Sequence, residues 1–97
     1  MSKRIWAFLF ILVFFSFSLS GCYHVSATKE MKVAEQLLSE LKAAGGPTWV
    51  PYEYTSAEKF LENAKLEAAE EDWKAARDFS TRSKSAAEAG LSEIKKK

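Results

Sequence analysis

The chain has 97 residues, a single cysteine and a formal net charge of +1. This length allows one small domain, one cysteine excludes an internal disulfide framework, and the near-neutral charge provides no basic face for nucleic acid. Hydrophobic residues make up 47% of the sequence, but six of the thirteen aromatic residues fall within residues 6–17, so the two ends of the chain differ in character.

Residues 1–22 have the three-part layout of a secretory signal peptide. A Lys-Arg pair forms a positive start, residues 5–15 are an unbroken apolar run, and small residues follow up to Cys22. A helix needs about 20 apolar residues to cross a bilayer, and residues 5–19 provide fifteen even with two serines included. We expect a cleaved signal peptide over residues 1–21, with a permanent single-pass anchor as the alternative.

The apolar run ends in the sequence Leu19, Ser20, Gly21, Cys22. It resembles the lipobox of bacterial lipoproteins, in which Leu, a small residue, Gly or Ala, and Cys follow one another. The resemblance implies that the Cys22 thiol receives a diacylglyceryl group, that a peptidase cuts between Gly21 and Cys22, and that the new amino group is acylated. A thiol is a strong nucleophile, and small neighbours give a peptidase access to the backbone. Ordinary cleavage after Ala27 is the alternative.

Lipidation would decide where the protein acts. Each buried methylene contributes about 0.8 kcal/mol, and two or more acyl chains make a stable anchor. In Gram-negative lipoproteins an Asp after the cysteine commonly retains the protein in the inner membrane, whereas this chain has Tyr23 there. By this resemblance we expect a lipid-anchored protein of the bacterial cell envelope, in the outer membrane and facing the periplasm.

The remaining sequence, residues 22–97, predicts a small all-α domain. It has thirteen alanines among its 32 hydrophobic residues, a composition that favours closely packed helices. A core of this size rarely supplies more than about 3–5 kcal/mol, so self-association or a partner surface would help to stabilise it. We expect a tether at residues 22–27 and then a small antiparallel bundle of three helices over residues 28–97.

The first helix of the domain is predicted at about 28–44. Thr28 is in a position to cap it. Glycine at residues 45 and 46 and proline at residue 47 end it, because glycine adopts the positive φ of a helix C-cap and proline prevents continuation. The predicted inner stripe carries Met31, Ala34, Leu38 and Leu41, and Leu37 lies beside it.

An aromatic connection with the sequence TWVPYEY follows over residues 48–54. Its proline and aromatics predict neither a helix nor a flexible linker. We expect Trp49, Tyr52 and Tyr54 to fold back over the apolar ends of the helices. The alternative is an exposed aromatic surface for a partner, which would also include Trp73.

Two further helices are predicted at about 55–70 and 73–95. Thr55 and Glu58 form a capping box for the first, and Asp72 can cap the second. Because no glycine or proline lies between residues 55 and 89, one long helix is the alternative. The predicted inner positions are Ala57, Phe60, Leu61, Ala64 and Ala68, then Trp73, Ala76, Phe79, Ser80, Ser83, Ala87, Leu91 and Ile94.

Four positions have the spacing of the large residue, the small packing residue, the turn aromatic and the second small residue of a tetratricopeptide repeat: Phe60, Ala64, Trp73 and Ala76. Residues 50–90 also resemble small bacterial envelope lipoproteins catalogued only as a domain of unknown function. The chain has Glu71 where the repeat commonly has glycine, and the closing proline is missing. Because repeat arrays need about three units, the resemblance implies a single hairpin braced by the first helix.

No pattern in the sequence indicates catalysis. The single histidine, His24, lies two residues from Cys22 and is expected to be a tether residue, not a metal ligand. Glutamates alternate with lysines as on a solvated helix face, and there is no catalytic triad or phosphate-binding loop. We therefore predict no enzyme, no cofactor and no metal site.

The sequence as a whole predicts a membrane-tethered module that docks on another envelope protein or on itself, since tethering raises effective concentration. The alternative is a structural tether to peptidoglycan through Lys95, Lys96 and Lys97. The chain resembles the murein lipoprotein in its predicted lipid anchor, its helices and its terminal lysine. That family joins the side-chain amine of its terminal lysine to peptidoglycan. Lysines at a helix end also complement the helix dipole, which explains the run without any tether.

Overall fold

Every regular element in the described part of the chain is a helix, which confirms the all-α prediction. The computed structural model describes the backbone of residues 2–96 and the side chains of residues 3–13 and 23–96. The helices in this range are α1 (Ser2–Ala43), α2 (Gly46–Trp49), α3 (Pro51–Ala69) and α4 (Trp73–Lys95). α3 and α4 form an antiparallel hairpin, and the second half of α1 packs mainly on α4.

The first half of α1 extends beyond the bundle. At 1.5 Å per residue, the 42 residues of this helix span about 63 Å, and the molecule is 70 Å long. Between residues 5 and 13, eight large apolar side chains are 53–76% exposed. Within the described residues, none of the helices has the combination of length and apolarity that crossing a bilayer requires.

The prediction of a tether at residues 22–27 is wrong, because α1 continues through this segment. Thr28 does not cap a helix start. Its hydroxyl donates to the carbonyl oxygen of His24 at 2.8 Å, as a threonine inside a helix does. Ala27 is fully buried and the His24 ring contacts Trp73, so packing against α4 stabilises the segment as helix.

The connection predicted as non-helical is largely helical. α1 ends as expected, with Gly45 at φ +90°. One helical turn follows in Gly46–Trp49, and α3 begins at Pro51, whose fixed φ and missing N–H suit a first helical position. Thr55 and Glu58 consequently lie inside α3, so the predicted capping box is wrong.

α3 and α4 are separate helices, so the alternative of one long helix is wrong. α3 closes with hydrogen bonds from the Glu71 N–H to the Ala68 carbonyl at 3.0 Å and from the Asp72 N–H to the Glu67 carbonyl at 2.9 Å. This is the pattern of a Schellman motif. The Asp72 carboxylate then accepts from the Ala75 N–H at 3.2 Å and caps α4, as predicted.

Replacing Glu71 by glycine should stabilise the hairpin. Glu71 has φ +62°, a left-handed conformation that costs a residue with a side chain about 1–2 kcal/mol. Glycine avoids this cost but loses more backbone freedom on folding, so we expect a net gain of about 0.5–1 kcal/mol in urea unfolding followed by circular dichroism. Glu70→Gly is the matched control, because Glu70 has φ −88° and should gain nothing. Equal shifts in the two variants would contradict this account of the turn.

The core consists mainly of small side chains. Ser80 and Ser83 are fully buried, and the Ser83 hydroxyl donates to the Ala57 carbonyl across the hairpin at 2.6 Å. All the predicted inner positions are buried or half-buried, which confirms the three stripes. Of the nine apolar residues buried in the described part of the chain, six are alanines and the others are Leu41, Val50 and Leu61.

Two glycines make room for Leu41, the largest fully buried side chain among the described residues. A Cβ atom at Gly46 would lie 2.7 Å from the Leu41 Cγ. A Cβ atom at Gly90, in the interior of α4, would lie 3.0 Å from both Leu41 Cδ atoms. The close approach of α1 to α4 at this end therefore depends on glycine at position 90.

Candidate functional site

The predicted lipobox lies in the middle of α1. Leu19, Ser20, Gly21 and Cys22 belong to this helix, and their side chains lie outside the described residues. Lipid attachment at Cys22 therefore stays a prediction. The first described side chain after it is Tyr23, at the start of the packed half of α1.

Ring contacts tie the residues after position 22 to α4. The rings of His24 and Trp73 meet edge to face, with centroids 4.2 Å apart. The guanidinium carbon of Arg77 lies 4.8 Å from the centroid of the Tyr23 ring. Contacts of these two kinds contribute on the order of 0.5–1.5 kcal/mol each. We call these four residues the basal cluster; they leave no flexible arm between position 22 and the bundle.

A shallow groove runs along α1 beside the basal cluster. It consists of two adjoining hollows of about 380 and 480 Å³ with largely apolar walls, and Thr28 and Lys32 line both of them. Val25 forms part of the wall and is 67% exposed. We call this the basal groove and define it by His24, Val25, Thr28, Lys29, Lys32 and Trp73. Met31, Glu35 and Ala68 also line it at the end away from Val25, where the Glu35 carboxylate pairs with Lys65.

The predicted partner surface is divided between the two ends of the bundle. Trp49 and Tyr52 are 58% and 78% exposed, whereas Tyr54 packs half-buried on the core. Only Tyr54 folds back as expected. Trp73 lies beyond the other end of α3, and the 19 residues of that helix span about 28 Å.

Trp49 and Tyr52 form what we call the distal aromatic pair. A Cβ atom at Gly45 would lie 2.8 Å from the Trp49 Cδ1, so the indole ring lies against the turn that ends α1. Tyr52 follows the proline that begins α3. Exposed Trp and Tyr are typical of protein interfaces.

Charged side chains link the helices at the surface. Lys65 Nζ lies 3.1 Å from Glu35 Oε1, and Lys84 Nζ lies 3.6 Å from Glu30 Oε2. Surface pairs of this kind contribute about 0–1 kcal/mol each. Among the described residues there is no group of three or more side chains that could hold a metal ion. In the same part of the chain every buried side-chain polar atom has a hydrogen-bond partner.

The roles of Tyr23 and His24 in packing were missed from the sequence. A signal was present, since the inner stripe of the first helix extends backwards with the same spacing of three and four residues to positions 27 and 24. Ala27 is fully buried at the first of these positions, and His24 contacts Trp73 at the second.

No family model, curated protein or solved structure matches the chain. The resemblances to the lipobox and to a tetratricopeptide repeat therefore stay predictions.

Proposed function

We propose that this chain is a lipid-anchored protein of the bacterial cell envelope that binds another envelope component through its helical bundle, without catalysis or cofactor. The observation that carries the proposal is the exposure of Trp49 and Tyr52 at the end of the bundle far from position 22. The LSGC sequence after a charged start and an apolar run supports the anchor at Cys22, and Tyr23 after it supports the outer membrane.

An anchor and a contact surface at opposite ends of a helical bundle would hold that surface at a fixed height above the membrane. α1 is continuous from position 22 to Ala43, close to the distal aromatic pair. Attachment to the membrane raises the effective concentration of a partner in the same envelope, so a small aromatic contact becomes useful. A core made mostly of alanine leaves little stability in reserve, which a bound partner would add to.

The anchor is tested by changing its cysteine. We expect the wild-type protein to begin at Cys22, to carry acyl chains by mass spectrometry and to sediment with membranes. Cys22→Ser should carry no lipid, because the diacylglyceryl group is attached to the sulfur atom of the cysteine thiol. Ser20→Ala is the matched control, since it keeps a small residue in the motif and should be processed normally. A wild-type N-terminus without added hydrocarbon would contradict the anchor.

The contact surface is tested by photo-cross-linking in cells that keep the native anchor. With a photo-reactive phenylalanine derivative in place of Tyr52, we expect one discrete cross-linked product, which Trp49→Ala weakens. The same derivative in place of Leu66 is the control, because Leu66 is 64% exposed but lies on the outer face of α3. No product at position 52, or the same products at both positions, would contradict the proposal.

A peptidoglycan tether is the second candidate, favoured by the direction of α4. This helix runs away from the basal cluster and ends at Lys95, and Lys96 Nζ pairs with Glu93 Oε1 at 3.5 Å. An anchor at Cys22 and the lysine run would then lie at opposite ends of the molecule; Lys97 lies outside the described residues. Boiling envelopes in detergent separates the candidates: protein retained on the wall supports the tether, and complete release supports the interaction module.

A further inference from the structure

The basal groove lies on the same stripe of α1 as position 22. Because the backbone is helical throughout, positions 22, 25, 29 and 32 follow one another along one face at spacings of three and four residues. Val25 is 67% exposed on this face, and Lys29 and Lys32 follow it. Apolar surface next to position 22 is thus bordered by two ammonium groups.

We propose that the basal groove enters the lipid headgroup layer with α1 upright, so that Val25 and Trp73 lie at the boundary of the acyl chains and the amines of Lys29 and Lys32, further along the helix, reach back to lipid phosphates. The inference rests on the proposed lipid anchor at Cys22. It adds that the bundle has a fixed orientation on the membrane, because His24 packs on Trp73 directly after the anchor position and no flexible arm intervenes.

Charge and chemistry favour lipid as the occupant of this groove. Lysine amines attract anionic phosphates, and their methylene stems cover apolar surface while the charge stays in water. Tryptophan is enriched at bilayer surfaces, because its ring is largely apolar and its indole N–H can hydrogen-bond to water or headgroups. The nearby α3–α4 turn carries exposed acids at residues 70–72, which anionic lipid would repel. The lipid contact is therefore made by the α1 side of this end, and Trp73 takes part in it because it lines the groove together with Thr28 and Lys32 of α1.

The two tryptophans of the processed chain test this orientation. Trp6 lies in the predicted signal peptide, so Trp49→Phe leaves Trp73 and Trp73→Phe leaves Trp49, about 28 Å away along α3. The lipid-bearing proteins are reconstituted in vesicles of phosphatidylethanolamine and phosphatidylglycerol brominated near the headgroup. We expect strong quenching of Trp73 emission and almost none for Trp49. Absent quenching of Trp73, or equal quenching at both positions, overturns the inference.

Charge reversal tests the role of the lysines. In the Trp49→Phe background, Lys29→Glu with Lys32→Glu should reduce Trp73 quenching in phosphatidylglycerol vesicles but not in phosphatidylcholine vesicles. The matched control, Lys42→Glu with Lys59→Glu, makes the same net charge change on exposed residues away from the groove and should leave quenching unchanged. Equal losses in the two double variants would show an effect of net charge alone and overturn the assignment to the groove.

The remaining outcomes separate this inference from the proposed function. A wild-type protein without lipid by mass spectrometry refutes the anchor, and the inference falls with it. The protein could instead carry lipid while its Trp73 is shielded from acrylamide and is not quenched by brominated lipid. In that case the groove is covered by protein, either a second copy of the chain or a partner. That result overturns the inference and leaves the proposed function standing.

Discussion

Leu41→Ala is expected to leave much of the bundle unfolded under conditions in which the wild-type protein is folded. Leu41 is fully buried and packs with Val50, Ala57 and Ala87 in a cluster of buried apolar residues. Truncating a buried leucine to alanine costs about 2–5 kcal/mol, and a core of this size supplies only about 3–5 kcal/mol. The neighbouring alanines are too small to fill the space that the truncation leaves.

Urea unfolding followed by circular dichroism measures this loss as a lower midpoint or as reduced helicity before urea is added. Leu66→Ala is the matched control, because it removes the same atoms from a side chain that is 64% exposed. Surface substitutions of this kind change the free energy of unfolding by less than about 0.5 kcal/mol. A Leu41→Ala protein no less stable than Leu66→Ala would show that this cluster does not hold the helices together.

The helical hairpin could be predicted because its local signals agree with one another. Alanine and leucine recur at helical spacing at positions such as Ala57, Leu61 and Ala64, and all three are buried. Asp72 is a good N-cap with a helical stripe directly after it, and its carboxylate does accept the Ala75 N–H. Where helix propensity, residue spacing and capping all favour the same helix boundary, tertiary packing keeps that boundary.

The boundaries that were wrong are places where two local signals compete. Thr55 and Glu58 favour a helix start at residue 55, but Pro51 also fits a first helical turn. The earlier start prevails because it lets Tyr54 pack on the core while Val50 is only 5% exposed. Residues 22–27 were predicted as a tether because the lipobox marks a cleavage boundary. A peptidase cleavage site does not determine where a helix begins, however, and α1 runs through this segment.

The division of the candidate surface follows from the hairpin itself. A turn at residues 70–72 places Trp73 one helix length from Trp49 and Tyr52, so the predicted topology already separates them. Exposure is harder to predict, because Tyr52 and Tyr54 are two residues apart and therefore point to different helix faces. Which face meets α1 depends on how the three helices pack, and the sequence of the connection does not contain that information.

Gly90→Val is expected to lower the free energy of unfolding by about 1–3 kcal/mol, the usual cost of overpacking a buried site. A Cβ atom there would lie 3.0 Å from both Leu41 Cδ atoms and 3.2 Å from the Glu53 Cβ, and valine adds two methyl groups beyond it. Helix propensity favours valine slightly over glycine, so a loss can come only from the contact. Ala89→Val is the control: it adds the same two methyl groups on the exposed face of α4 and should cost a few tenths of a kcal/mol.

The combination of Gly90→Val with Leu41→Ala tests whether the two positions share one space. If the Leu41 side chain occupies the room that glycine leaves, removing it gives the valine methyl groups a cavity to fill. The double variant should then be more stable than the sum of the single changes predicts, with a coupling of about 0.5–3 kcal/mol from a double-mutant cycle. The cycle is measured by urea unfolding of all four proteins in the same concentration of sucrose, which strengthens burial and keeps the Leu41→Ala proteins folded at the start. Ala89→Val combined with Leu41→Ala should show additive losses. Additivity at Gly90 as well would mean that α1 and α4 can move apart there, and that the glycine is not what brings them together.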